Sequence, residues 1–112
     1  LRLWSATGAR AQQWAVPHPS EGYVPLPNGG SGKVLDVMYG SDANGTAVQQ
    51  YVRNDTYAQR WVAVRNPDDS LTLYSALKRD MVLDLAGAST ADGARVQLYS
   101  SNGTAAQCWR IR

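Results

Sequence analysis

The sequence predicts an all-β domain built from three related four-stranded units that share one core. Residues 34–61 (VLDVMYGSDANGTAVQQYVRNDTYAQRW) align without a gap on residues 82–109 (VLDLAGASTADGARVQLYSSNGTAAQCW), at an offset of 48. The opening LRLWSATGARAQQW matches the second half of the same unit, so Trp14, Trp61 and Trp109 recur at spacings of 47 and 48. Between turn-forming residues lie short runs rich in Val, Leu, Tyr and Trp. No stretch sustains the 3.6-residue apolar period of a helix.

Taken in order, the expected strands are Tyr23–Leu26, Val34–Val37, Val48–Tyr51, Trp61–Val64, Leu71–Tyr74, Val82–Leu85, Val96–Tyr99 and Trp109–Ile111. Asn28-Gly29-Gly30, Asn44-Gly45, Asn66-Pro67-Asp68-Asp69 and Asn102-Gly103 supply turns between them. A unit of about four strands is too small to bury its own apolar face, so the units must pack together. A propeller of such blades needs at least about four of them. Three units closing around a pseudo-threefold axis make a β-trefoil instead, and closure removes free strand edges.

The expected organisation is one trefoil domain over 1–112. A partial unit, 1–14 continuing to about 33, is followed by full units starting near 34 and 82. The first unit is N-terminally incomplete, lacking its own Leu-Asp-Val half; about ten of a trefoil's twelve strands can be placed. A longer parent chain is the favoured source of the remainder. A hairpin donated by a second copy and a truncated fold are the alternatives.

Composition narrows the function. Apolar residues at 44% and charged residues at 18% fit an ordinary globular chain, not a disordered one. The net charge is only +2 and the eleven Lys and Arg are scattered, so no nucleic-acid footprint is present. No apolar run is long enough to span a membrane. Cys108 is the only cysteine, which rules out an internal disulfide but not secretion. His18 is the only histidine, in Val16-Pro17-His18-Pro19, and builds neither a His-centred metal cluster nor a triad. Asp42-Ala43-Asn44 lacks the acid and spacing of a calcium loop. No metal and no cofactor is expected. Asn44-Gly45-Thr46, Asn54-Asp55-Thr56 and Asn102-Gly103-Thr104 match the N-glycosylation pattern and also ordinary turn chemistry, the preferred reading.

Gln-x-Trp occurs three times, as Gln12-Gln13-Trp14, Gln59-Arg60-Trp61 and Gln107-Cys108-Trp109. In each complete unit it is preceded by Leu-Asp-Val/Leu and a Val-Gln-x-Tyr strand. With these motifs the chain resembles, over essentially its whole length, the ricin-B lectin superfamily, including the trefoil carbohydrate-binding modules appended to bacterial glycosidases. The resemblance implies that the Asp of each unit accepts hydrogen bonds from two sugar hydroxyls. It also implies that the aromatic residue 15 positions later stacks on the apolar face of the ring. Those roles fall on Asp36 with Tyr51 and on Asp84 with Tyr99.

The candidate sugar-binding residues are therefore Asp36, Gln49, Tyr51, Asn54 and Gln59 in the second unit, and Asp84, Gln97, Tyr99, Asn102 and Gln107 in the third. Trp4 and Gln12 are what remains of a first site. The chain departs from the family where an Asn commonly precedes the Gln of Gln-x-Trp, since Ala11, Ala58 and Ala106 stand there. One charge-assisted hydrogen bond lost in this way is worth roughly 1.5–3 kcal/mol; Asn54 and Asn102 are the residues placed to compensate. Scaffold readings stand beside these: the tryptophans as core, the Gln of Gln-x-Trp as a partner for turn backbone, Asp36 and Asp84 as loop caps, and Tyr51 and Tyr99 as half-buried strand residues.

The expected function is carbohydrate binding without catalysis, by a secreted lectin or by the glycan-targeting module of a larger secreted glycosidase. Galactose-, xylose- or arabinose-type glycans are the expected partners. A glycosidase site needs two facing carboxylates, and Asp36 and Asp84 occupy equivalent places in different units. The alternative is a trefoil that binds or inhibits another protein and carries relic sugar sites, with the alanines as its best support.

Overall fold

In the computed structural model the residues described are 10–12, 14, 22–89 and 91–110. Trp4, Gln13, the segment Val16-Pro17-His18-Pro19 and Ile111, named above, lie outside them. Among the described residues six strands form: β1 (Val34–Val37), β2 (Thr46–Tyr51), β3 (Trp61–Arg65), β4 (Leu71–Ser75), β5 (Met81–Leu85) and β6 (Val96–Ser100). They pair antiparallel in the order β1-β2-β6-β5-β4-β3. Alternation along β2, β3 and β6 turns one face inward, whereas all four residues of β1 are buried.

The 48-residue offset of the sequence reappears as a structural offset. β1 pairs with β2 from Val34↔Tyr51 to Val37↔Val48, and β5 pairs with β6 through Val82↔Tyr99 to Leu85↔Val96. After each first strand comes a single 3₁₀ turn, Met38–Gly40 or Ala86–Ala88. A second such turn, Tyr57–Gln59 or Ala105–Gln107, precedes each tryptophan. The units are joined where Thr46 and Ala47 of β2 pair with Leu98 and Gln97 of β6. The Arg95 guanidinium also donates to the Gly45 carbonyl (2.6 Å), and the Asn44 Oδ1 accepts from the Ser100 amide and hydroxyl (2.9 and 3.0 Å).

The expected strand Tyr23–Leu26 forms a single bridge. Val24 and Trp61 exchange both backbone hydrogen bonds at 2.9 Å, and the Leu26 carbonyl accepts from the Leu35 amide at 3.1 Å, without a continuous ladder. Pro25 and Pro27 flank Leu26 and carry no amide hydrogen, so Tyr23–Leu26 cannot extend a ladder. Of the expected strand Trp109–Ile111, Trp109 exchanges hydrogen bonds with Leu71, and Ile111 lies outside the described residues. The turn reading of the Asn-x-Thr sites fits the geometry, because Asn54 and Asn102 each accept from the Thr amide two residues on (both 3.1 Å).

The core gathers Leu26, Leu35, Val37, Val48, Trp61, Leu73, Met81, Leu83, Val96 and Leu98 from both full units and the segment before them. Trp61 is fully buried, while Trp14 and Trp109 pack against the cluster half-buried. Among the described residues no buried side-chain nitrogen or oxygen lacks a hydrogen-bond partner. No helix among them is long and apolar enough to cross a membrane.

Candidate functional site

The second unit builds its site from the end of β1, the end of β2 and the loop that returns to β3. Asp36 follows Leu35 on β1, and its side chain is only 6% exposed. Oδ1 accepts from Gln49 Nε2 at 3.1 Å, and Oδ2 accepts from Gln59 Nε2 at 3.0 Å. Gln59 is completely buried; the same Nε2 donates to the Val52 carbonyl (2.9 Å), and Oε1 accepts from the Asn54 amide (2.7 Å). Two residues on, Trp61 Nε1 donates to the Leu35 carbonyl at 3.1 Å. Gln-x-Trp therefore fastens the loop to β1 at two adjacent residues, and the Gln fixes the orientation of the Asp.

The third unit repeats this lattice bond for bond. Asp84 Oδ1 accepts from Gln97 (3.0 Å) and Oδ2 from Gln107 (2.9 Å). Gln107 donates to the Ser100 carbonyl and accepts from the Asn102 amide, both at 2.9 Å, and Trp109 Nε1 donates to the Leu83 carbonyl at 3.1 Å. Each buried carboxylate keeps acceptor capacity beyond its two glutamine bonds, since two oxygens offer about four lone-pair positions.

Around Asp36 the loops enclose an open cleft of about 440 Å³, lined by Asp36, Gln49, Tyr51, Asn54 and the side chains that surround them. Tyr51 is half exposed on the last position of β2 and lines this cleft with Asp36. Gln59 lies beneath the surface as a linker rather than in the lining. Asn54 Oδ1 is committed to the Thr56 amide and hydroxyl (3.1 and 2.8 Å), so only its Nδ2 remains to face a ligand. Asn102 makes the same two bonds to Thr104. Ala58, in the position where the resembling lectins carry Asn, lines the cleft without a polar group.

Sequence reasoning overlooked Tyr39 and Tyr57, which line the same cleft at 93% and 64% exposure. Neither recurs in the third unit, where Gly87 and Ala105 hold the equivalent places. The available signal was the failure of the repeat at these two positions.

A second cleft of about 380 Å³ lies between Asn66–Asp68 and Ser101–Cys108. Its Asp68 carboxyl is held below the usual carboxylate range, first by the Ser70 hydroxyl and next by the Ser70 amide. Among the described residues no group of three or more His, Cys, Asp or Glu side chains is placed to hold a metal ion.

The lattice predicts an asymmetry between two glutamines that share one Asp. Gln59→Glu sets a buried carboxylate against Asp36 and the Val52 carbonyl, whereas Gln49 is partly exposed and can turn away. Gln59→Glu is expected to cost about 2–3 kcal/mol at neutral pH and Gln49→Glu less than about 1 kcal/mol, read from urea midpoints. Equal costs would mean that Gln59 is not the fastening residue.

The family described as ricin-type β-trefoil lectin domain-like matches residues 10–99. The structure is similar to the designed threefold-symmetric protein ThreeFoil, with TM-score 0.89 and 36% identity over 96% of this chain and 76% of that one. It is also similar to the exo-β-1,3-galactanase 1,3Gal43A of Clostridium thermocellum (TM-score 0.87, 31% identity), covering 96% of this chain but 23% of the enzyme. The ricin B-like lectin of Macrolepiota procera, solved in complex with lactose, superposes with TM-score 0.78 at 25% identity, over 96% of this chain and 75% of the lectin. A comparison with curated protein sequences returned no match.

Proposed function

The chain belongs to the ricin-type β-trefoil lectin domain-like family, and on that footing we propose that it binds carbohydrate through the Asp36–Tyr51 and Asp84–Tyr99 sites. Carbohydrate binding follows from the family and from the lectin and galactanase neighbours. The observation that carries the assignment of sites is the doubled lattice. Two buried carboxylates are each oriented by two glutamine amides, with a half-exposed tyrosine on the strand beside them.

A sugar hydroxyl pair donates to the spare lone pairs of the Asp, while the C–H face of the ring covers the tyrosine. The Asp enters the site already oriented, so little ordering is left for the sugar to impose. Each shallow site is weak alone, and two on one chain gain by multivalency on a polysaccharide. The domain acts without catalysis, as a lectin or as the glycan-targeting part of a larger glycosidase, in an extracellular setting. Galactosides head the ligand classes because the similar lectin was solved with lactose and the similar enzyme is a galactanase; xylose- and arabinose-type glycans follow.

One observation favours a second reading. Ala58 and Ala106 leave each site without the amide that such lectins carry, as expected of a trefoil that binds protein and retains relic sites. A glycan array carrying galactosides, xylans and arabinans separates the two. Binding to any of these classes supports the lectin reading, and a folded domain that binds none of them overturns it in favour of protein interaction.

A further inference from the structure

We infer that the second-unit cleft is an extended site holding two consecutive rings of a glycan chain, with Tyr39 and Tyr57 forming its second subsite, whereas the third-unit site holds one ring. The inference rests on the carbohydrate reading and goes beyond it in separating two sites that share one lattice.

The repeat supplies an internal control. The Asp–Gln–Gln–Asn bonds are the same in both units, so that scaffold does not need the residues by which the units differ. Tyr39 is one of them. It adopts φ 59°, in the left-handed region, where the third unit has Gly87 at φ 63°. The next position is left-handed too, Gly40 in one unit and Ala88 in the other, but only Tyr39 puts a bulky side chain there. An L-residue in this region costs free energy, and a ring that is 93% exposed recovers almost none of it by burial. A strained, exposed aromatic on the wall of a cleft is accounted for by what the cleft holds.

Tyr57 is the second difference, replaced by Ala105 in the other unit. Its ring carries the Arg60 guanidinium at 5.4 Å and lines the same cleft. A sugar ring bound to Asp36 and lying on Tyr51 uses one of three tyrosines. The other two stand on the turns 38–40 and 57–59, which pack against each other, and Leu77 completes the apolar lining. Aromatic surface beyond the first ring, in a cleft open to solvent, suits the next ring of a chain.

The test is calorimetric, in an Asp84→Ala background that confines binding to the second unit. The probes are galactose, β-1,3-galactobiose and β-1,3-galactotriose, with xylose, xylobiose and xylotriose as a second series. Affinity is expected to rise about tenfold from one ring to two, the factor one further stacking contact supplies, and little from two to three. Adding Tyr39→Gly and Tyr57→Ala installs the third unit's own residues, so the fold is retained, and the disaccharide-to-monosaccharide ratio falls to below about threefold. An equal ratio with and without the tyrosines, or no rise from one ring to two, overturns the second subsite while leaving sugar binding in place. No binding of either series, or of an arabinan, by the unmutated chain overturns the carbohydrate reading itself, and the second subsite with it.

Discussion

Trp61→Ala is expected to destabilise the domain by about 3–5 kcal/mol, a large share of the roughly 5–15 kcal/mol that holds a domain of this size together. Trp61 is fully buried, its indole amide satisfies the Leu35 carbonyl, and its backbone exchanges hydrogen bonds with Val24. Truncation opens a cavity in the core cluster to which Trp61 belongs and leaves the Leu35 carbonyl of β1 without its partner. Trp109→Ala removes the same motif residue from a half-buried position and should cost about half as much. Urea unfolding of the two variants checks the pair. Equal midpoints would mean that the motif, rather than the depth of each copy, sets the contribution.

Asp36→Ala with Asp84→Ala is expected to weaken binding to any recognised glycan at least about 100-fold, since each site loses two charge-assisted hydrogen bonds of roughly 1.5–3 kcal/mol. Each single variant leaves one lattice intact, so calorimetry on a monosaccharide should show the stoichiometry fall from two to one. The fold survives the change at a cost of about 1–3 kcal/mol, because Gln59 and Gln107 keep their bonds to the Val52 and Ser100 carbonyls. Full affinity in a folded double variant would remove both carboxylates from the site.

Much of this architecture was legible because the repeat copies scaffold faithfully. The offset of 48 located β1 with β5 and β2 with β6, and the Asp-to-Tyr spacing picked out Asp36 and Tyr51, which line one cleft. The run Tyr23–Leu26 read as a strand by its side chains, while Pro25 within it and Pro27 after it, which remove ladder donors, decided otherwise. Gln59 and Gln107 were named as sugar contacts, with a turn-backbone role beside that reading. Their role as tethers between Asp and loop depends on contacts across 23 residues, which no local pattern displays. Tyr39 and Tyr57 escaped for the opposite reason. A search for repetition finds what two units share, and these residues matter by being unshared.

The measurement closest to the central claim is a side-chain NMR titration of the domain with lactose. The largest shifts are expected on the side-chain amides of Gln49, Gln59, Gln97 and Gln107 and on the rings of Tyr51 and Tyr99. Shifts confined to the cleft between Asn66 and Cys108, with those amides and rings unmoved, would contradict that claim.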